Sequence, residues 1–295
     1  MADSIFLTGA SGFLGRRLVP RLAAGGKQRI VCLSRSKLAG QAPENTVLVA
    51  GDLLDTNSYS SALRDCHTVV HLAAATGKRA PAEYFRVNRD GTEALAAEAK
   101  RAGVQRFLHV STIAVKFRDL AHYPYARSKQ EAEAIVAQSG LRWTIIRPTI
   151  IAGRGSPALD GLARLASLPI VPVFGDGRTL VQPVFVDDLA ACLEAVLEEG
   201  GLAGRTLEIG GPETVSIEGL LLRLRQARGF GAARVLHLPA RPIATCLAWV
   251  EPFLRPLLPV TAGQLASFTN PGTIAPDAWV LRQQEHMRGL DEILR

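Results

Sequence analysis

The chain has little sulfur: four cysteines and two methionines in 295 residues. Cys32, Cys66, Cys192 and Cys246 stand far apart, without the spacing of a metal site or a redox pair, and they read as buried thiols. The six histidines do not cluster either, and His71 and His109 fall inside apolar strands, where packing rather than catalysis is expected. No uninterrupted apolar run is long enough to cross a bilayer, so a transmembrane helix is excluded although 47% of the residues are hydrophobic. Basic residues outnumber acidic ones, 34 to 27, for a formal charge of +7, yet no basic run alternates with aromatics. That pattern argues against nucleic acid as a partner; an anionic nucleotide ligand, or weak attraction to a membrane surface, accounts for the charge. Met1-Ala2-Asp3 leads straight into an apolar strand, so no signal peptide is expected and the cytoplasm is the default location.

What is present begins with glycine. Ser4-Ile5-Phe6-Leu7 reads as a buried strand, Thr8-Gly9-Ala10-Ser11-Gly12-Phe13-Leu14-Gly15 follows it, and an amphipathic helix is expected over 14–24. Gly9 lets the chain turn tightly, Gly12 removes a side chain where a pyrophosphate must approach backbone N–H groups, and Gly15 lets the helix pack close on the sheet. The positive end of the helix dipole then faces the phosphates. Gly9, Ser11, Gly12, Phe13, Leu14 and Gly15 are therefore candidates for holding a dinucleotide.

A second motif can move protons. In Tyr123-Pro124-Tyr125-Ala126-Arg127-Ser128-Lys129, which opens another helix, Tyr125 and Lys129 lie one turn apart on one face. A free phenol has a pKa near ~10; an ammonium about 4 Å away could stabilise the phenolate by at most ~4 kcal/mol at an effective dielectric of ~20, roughly three pKa units. Upstream, Phe107-Leu108-His109-Val110-Ser111-Thr112 reads as a strand ending in two hydroxyls, either of which could hold a substrate oxygen at the carboxyl edge of a parallel sheet.

Strand and helix patterns alternate as far as Trp143-Thr144-Ile145-Ile146-Arg147, which predicts six parallel strands, and Arg205 to Ile209 adds another. The expected fold is α/β, a doubly wound parallel sheet (Rossmann) over 1–152, with a smaller C-terminal substrate-binding region over 153–295. Within that region roughly 180–210 returns to the Rossmann core, and 216–228 reads as helical.

Further motifs continue the pattern in order: Gly51-Asp52-Leu53, His71-Leu72-Ala73-Ala74, Val87-Asn88-Arg89-Asp90-Gly91-Thr92, Arg147-Pro148 and Pro183-Val184-Phe185-Val186-Asp187-Asp188-Leu189-Ala190. With these the chain resembles an extended short-chain dehydrogenase/reductase, the superfamily that includes nucleotide-sugar epimerases, 3β-hydroxysteroid dehydrogenases and dihydroflavonol reductases. The resemblance implies that Thr112, Tyr125 and Lys129 are catalytic. It implies that Asp52 and Leu53 border the adenine and that Leu72, Ala73 and Ala74 line the dinucleotide. Asn88, which supports the central helix, and Pro148 join Tyr125 and Lys129 among the cofactor-binding positions. A homodimer paired through helices at 81–102 and 124–139 is the family habit. Two departures matter: Val115-Lys116-Phe117 replaces the Val-Tyr-Gly of many sugar-nucleotide enzymes, and Ile113-Ala114 replaces the acidic pair of 4,6-dehydratases. With no carboxylate there for an elimination, a dehydratase is disfavoured.

After Arg29-Ile30-Val31-Cys32-Leu33 comes Ser34-Arg35-Ser36-Lys37, where an NAD enzyme usually places an acid for the ribose hydroxyls. Arg35 could instead pair with a 2′-phosphate, so NADP is expected over NAD. The apolar, proline-broken stretch 243–260 suggests a greasy pocket wall or an interfacial patch. With Gly175-Asp176-Gly177 and Val260-Thr261-Ala262-Gly263-Gln264-Leu265 it is similar to bacterial relatives of the nucleotide-binding accessory subunit of respiratory complex I. The functional expectation is hydride transfer between a nicotinamide cofactor and a carbonyl or alcohol. Nucleotide-sugar epimerisation and a non-catalytic, dinucleotide-loaded assembly protein stay open beside it.

Overall fold

The computed structural model describes residues 4–26, 28–35, 43–254, 258, 261–275 and 277–294. Six strands, β1 (Ser4–Thr8), β2 (Arg29–Ser34), β3 (Thr46–Ala50), β4 (Thr68–His71), β5 (Arg106–Val110) and β6 (Arg142–Pro148), form one parallel sheet with Arg205–Ile209. From one edge to the other the order is Arg205–Ile209, β6, β5, β4, β1, β2, β3. The inner strands are buried on both faces, which is why they read as unbroken apolar runs.

Side chains alternate along them. Ile5 and Leu7 join one core with Leu18, Val19 and Leu22 of the helix Gly15–Ala24 and with Leu189 and Leu193 of the helix Val186–Glu198. Phe6 points the other way, into a core with Leu95 and Ala99 of Gly91–Arg101 and Val136 of Pro124–Gln138. Helices on both faces therefore cover a doubly wound sheet. β1 lies between β2 and β4, so the chain winds one way through β2 and β3 and the other way through β4, β5 and β6. The crevice at the carboxyl ends of β1 and β4 is the switch point where such sheets take ligands.

The expected helix over 81–102 is interrupted: Pro81–Tyr84 passes into a π-helical turn, Phe85–Asp90, before Gly91–Arg101. Asn88 sits inside that turn with its amide committed to Ala75, and single π turns of this kind often mark functional regions. A second set of elements packs around Val171, Val173, Ile217, Leu220, Leu265 and Phe268. It includes the parallel pair Ile170–Phe174 and Arg234–Leu238 and the helices Pro157–Ala166, Ile217–Ala227, Ala240–Leu254 and Ala262–Thr269. The stretch expected to be broken by proline is helical from Ala240 to Leu254; Arg255, Pro256, Pro259 and Val260 lie outside the described residues. Among the described residues no helix is long and apolar enough to cross a membrane.

Candidate active site

Gly9 has φ of +81°, and a Cβ there would lie 2.6 Å from the Ala73 nitrogen. Only glycine combines that conformation with that approach. The turn is laced to the end of β4: the Thr8 carbonyl accepts from the Leu72 N–H at 3.1 Å, and Thr8 Oγ1 accepts from the Ala73 N–H at 3.3 Å. Ala73 is thereby brought beside the glycine turn, with Ala74 next along the chain. Gly12 donates to the Gly9 carbonyl at 3.0 Å and is otherwise exposed, with Ser11 beside it. The helix that follows carries no acidic residue in its first turn, so its dipole is free to act on an anion.

Beyond β2, Arg35 is exposed, while Ser36 and Lys37 lie outside the described residues. β3 ends alongside, and Asp52 accepts from the Leu54 N–H at 2.9 Å. Leu53 is buried against Gly91. Asn88 is fully buried; its Oδ1 accepts from the Ala75 N–H at 2.7 Å, and its Nδ2 donates to the Ala75 carbonyl at 3.2 Å and to Ser128 Oγ at 2.9 Å. It ties the loop after β4 to the helix Pro124–Gln138. Pro148 closes β6, and the neighbouring Arg147 is held by Glu133 through bonds of 3.0 and 2.6 Å. Bare backbone at a helix N-terminus, small residues beside it and an exposed guanidinium at the end of β2 fit a dinucleotide.

The candidate proton-handling groups lie at the end of β5 and on the helix Pro124–Gln138. Thr112 caps a 3₁₀ turn, Ile113–Lys116, accepting from the Ala114 N–H at 3.3 Å, and its side chain stands beside the phenol of Tyr125. Ser111, the other hydroxyl considered, is buried and its Oγ has no protein partner. Tyr84 and Tyr123, which sequence reasoning passed over, place their rings 5.9 Å from that of Tyr125. Phe117 stacks in turn on Tyr123.

Lys129 is 1% exposed, and its Nζ donates to the Val110 carbonyl at 2.8 Å and to His109 Nε2 at 3.1 Å. Strand register sets His71 opposite His109, with ring centroids 5.2 Å apart. His71 reaches Thr8 Oγ1 at 2.7 Å and Thr92 Oγ1 at 2.9 Å. Burial, with the nearby Lys129 adding repulsion, lowers His71 to about 3 and holds His109 well below the usual imidazole range. Both rings are packed and neutral, as their strand positions suggest.

Burial pushes the Tyr125 phenol up to about 12, the Thr112 hydrogen bond pulls it down, and Tyr84 adds to the rise. Lys129 shares the helix face but extends its stem toward β5, where a carbonyl and an imidazole lone pair take its protons. Burial brings it down to about 7, with Glu133 opposing.

A test follows from the sign of that shift. Below about 7 Lys129 is protonated in both folded and unfolded chains and the full burial penalty is present; between about 7 and 10.5 only the unfolded chain keeps the proton, so the penalty fades as pH rises. Lys129→Met should therefore raise stability near pH 6 by roughly 2 kcal/mol, after allowing for the hydrogen bonds lost, and by less near pH 9. Thermal denaturation at both pH values reads this. A variant whose Tm difference from the parent does not shrink with rising pH would contradict the burial of an ammonium at this site.

A glycine turn at a sheet switch point, joined to a Thr–Tyr pair and a buried lysine, defines a dinucleotide-dependent short-chain dehydrogenase/reductase architecture of the extended type. The model of the NAD dependent epimerase/dehydratase family matches residues 5–210, and the chain belongs to that family. Ceramide reductase of Caulobacter vibrioides is 35% identical over 193 residues, covering 65% of this chain and 60% of the relative. The mitochondrial NADH dehydrogenase [ubiquinone] 1 alpha subcomplex subunit 9 of Arabidopsis thaliana is 30% identical over 215 residues, covering 70% of this chain and 53% of that protein. The chain thus matches little more than half the length of these relatives. UDP-glucuronic acid 4-epimerase from Bacillus cereus, in complex with UDP-glucuronic acid and NAD, shares the fold with a TM-score of 0.67 at 24% identity, covering 80% of this chain and 86% of that one.

Proposed function

We propose that the chain is an NAD(P)-dependent reductase of a lipophilic carbonyl compound. The observation that carries the reading is the juxtaposition of the Tyr125 phenol with Thr112, at the end of β5, and with the rings of Tyr84 and Tyr123. A bound nicotinamide dinucleotide supplies the hydride. Gly9, Ser11, Gly12, Phe13, Leu14 and Gly15 would hold its pyrophosphate, Asp52 and Leu53 its adenine end, and Ala73, Ala74 and Pro148 its nicotinamide half; Lys129, buried with its ammonium on β5, would reach it only by leaving Val110 and His109. With a pKa pushed up to about 12, Tyr125 stays protonated at neutral pH and gives its proton to the developing alkoxide oxygen. Thr112 orients that oxygen and then donates to the phenolate left behind.

Tyr84, Tyr123 and Phe117 form an aromatic wall beside Tyr125, which suits an apolar acceptor, and the Caulobacter relative is named for a lipid. Epimerisation of a nucleotide sugar is supported less well. Arg154, Arg178, Arg234 and Arg241, the cations available for a diphosphate, are exposed and belong to four separate segments. The test is NADPH oxidation by purified protein with long-chain ketones in mixed micelles, alongside UDP-glucose. Ketone-dependent oxidation is expected; isomerisation of the sugar without net oxidation would transfer the assignment to an epimerase.

NADP is proposed over NAD because Arg35 stands exposed at the end of β2. Arg35→Asp should raise the KM for NADPH by about tenfold or more while leaving NADH use equal or better. Equal losses with both cofactors would remove Arg35 from the 2′-phosphate.

A further inference from the structure

The helix Ala240–Leu254 is apolar on its outward side as well as its inward one. Ile243, Ala244 and Leu247 pack against the second core. The opposite stripe, Arg241, Pro242, Thr245, Cys246, Trp249, Val250 and Phe253, is exposed. Trp249 and Phe253, at 78% and 85%, are the most exposed large hydrophobic side chains among the described residues. A helix apolar all round is ordinarily buried, so this stripe implies a covering surface.

Charge indicates what the surface is. From residue 219 to residue 276 the chain carries six arginines and a single acidic residue, Glu251; Arg223 and Arg228 are paired with acids and Arg225 is buried, which leaves Arg234 and Arg241 as the exposed cations of this stretch among the described residues. The Glu251 carboxylate is occupied at the start of the neighbouring helix, accepting from the Ala262 N–H at 3.2 Å. Arg241 shares the apolar stripe, and Arg234, on the strand that leads into the helix, is exposed as well. Two exposed aromatic rings with cations and no free carboxylate on the stripe match the interfacial zone of a bilayer carrying anionic lipid, where Trp and Phe enter the headgroup layer and guanidinium groups meet phosphates. At 15 residues the helix is too short to cross, so it would lie on the surface.

We propose that the outward face of Ala240–Leu254 docks the protein on an anionic lipid surface, with Trp249 and Phe253 as the inserted side chains. This goes beyond the reaction and does not depend on it.

The experiment compares the full chain with vesicles of phosphatidylcholine alone and of phosphatidylcholine mixed with phosphatidylglycerol. Co-sedimentation with the mixed vesicles is expected, weakened by salt, together with a blue shift of tryptophan emission. Phe253→Ser, which keeps Trp249 as reporter, should reduce partitioning several-fold, and Trp249→Ser with Phe253→Ser by about tenfold or more, with thermal unfolding unchanged. No binding to the mixed vesicles, or binding that the double variant retains, overturns the proposal. So does a concentration-dependent dimer in sedimentation velocity that the double variant abolishes, since the stripe would then face a second copy of the chain.

Discussion

Tyr125→Phe is expected to lower kcat/KM for ketone reduction by about a hundredfold to ten-thousandfold, the range for losing a positioned general acid, while nicotinamide dinucleotide affinity changes by no more than about twofold. The separation follows from the geometry. The ring of Tyr125 is held by Tyr84 and Tyr123 at 5.9 Å each, and Phe keeps that packing. Only the hydroxyl is lost. A loss of that size corresponds to roughly 3–5 kcal/mol of transition-state stabilisation. Steady-state kinetics with fluorescence titration of NADPH measures both quantities, and turnover undiminished in the variant would sink the mechanism.

The second large effect is expected at Gly15. A Cβ there would lie 2.2 Å from the Gly9 carbonyl oxygen and 2.8 Å from both the Cα and the oxygen of Ala10. All three are backbone atoms of the glycine turn, so no side chain can swing away to relieve the clash. Gly15→Ala should push the helix off the turn, destabilising the fold by roughly 2–4 kcal/mol and weakening dinucleotide binding by about a hundredfold. Gly161, exposed on the helix Pro157–Ala166, has nothing within 4 Å of the same added atom. Gly161→Ala should therefore be neutral or stabilising by up to ~1 kcal/mol. Chemical denaturation of the two variants, with cofactor titration of each, reads the contrast. Equal behaviour would mean that the tight approach at Gly15 is not what shapes the turn.

These two positions were legible in the chain for different reasons. The glycine turn announces itself because a parallel strand buried on both faces is a continuous apolar run, and close backbone approaches admit only glycine. Tyr125 and Lys129 were legible as a pair because a one-turn spacing leaves a pattern in one dimension, whereas the strand-end hydroxyls left Ser111 and Thr112 both open and only the family resemblance chose Thr112. The surroundings of Lys129 were not legible. Its partners, His109 and the Val110 carbonyl, come from a strand some twenty residues away and are fixed only when helix Pro124–Gln138 packs on β5. The same holds for Tyr84, brought to Tyr125 by the folding of Pro81–Tyr84 against that helix, and for the π turn, which depends on Asn88 finding Ala75. The helix Ala240–Leu254 was read as proline-broken. Pro242 falls near its start, where a missing N–H is tolerated, and propensity could not anticipate the tertiary packing that carries the chain on through Pro252.

The central claim is that hydride passes from a bound nicotinamide to a carbonyl carbon beside Tyr125. The most direct test is a single-turnover reaction of purified protein with nicotinamide-deuterated NADPH and a long-chain ketone, with the alcohol analysed by mass spectrometry. Deuterium at the carbinol carbon, lost in Tyr125→Phe, is the expected result. Tight NADPH binding with no deuterated alcohol from any ketone tried would contradict it and leave a dinucleotide holder in place of a reductase.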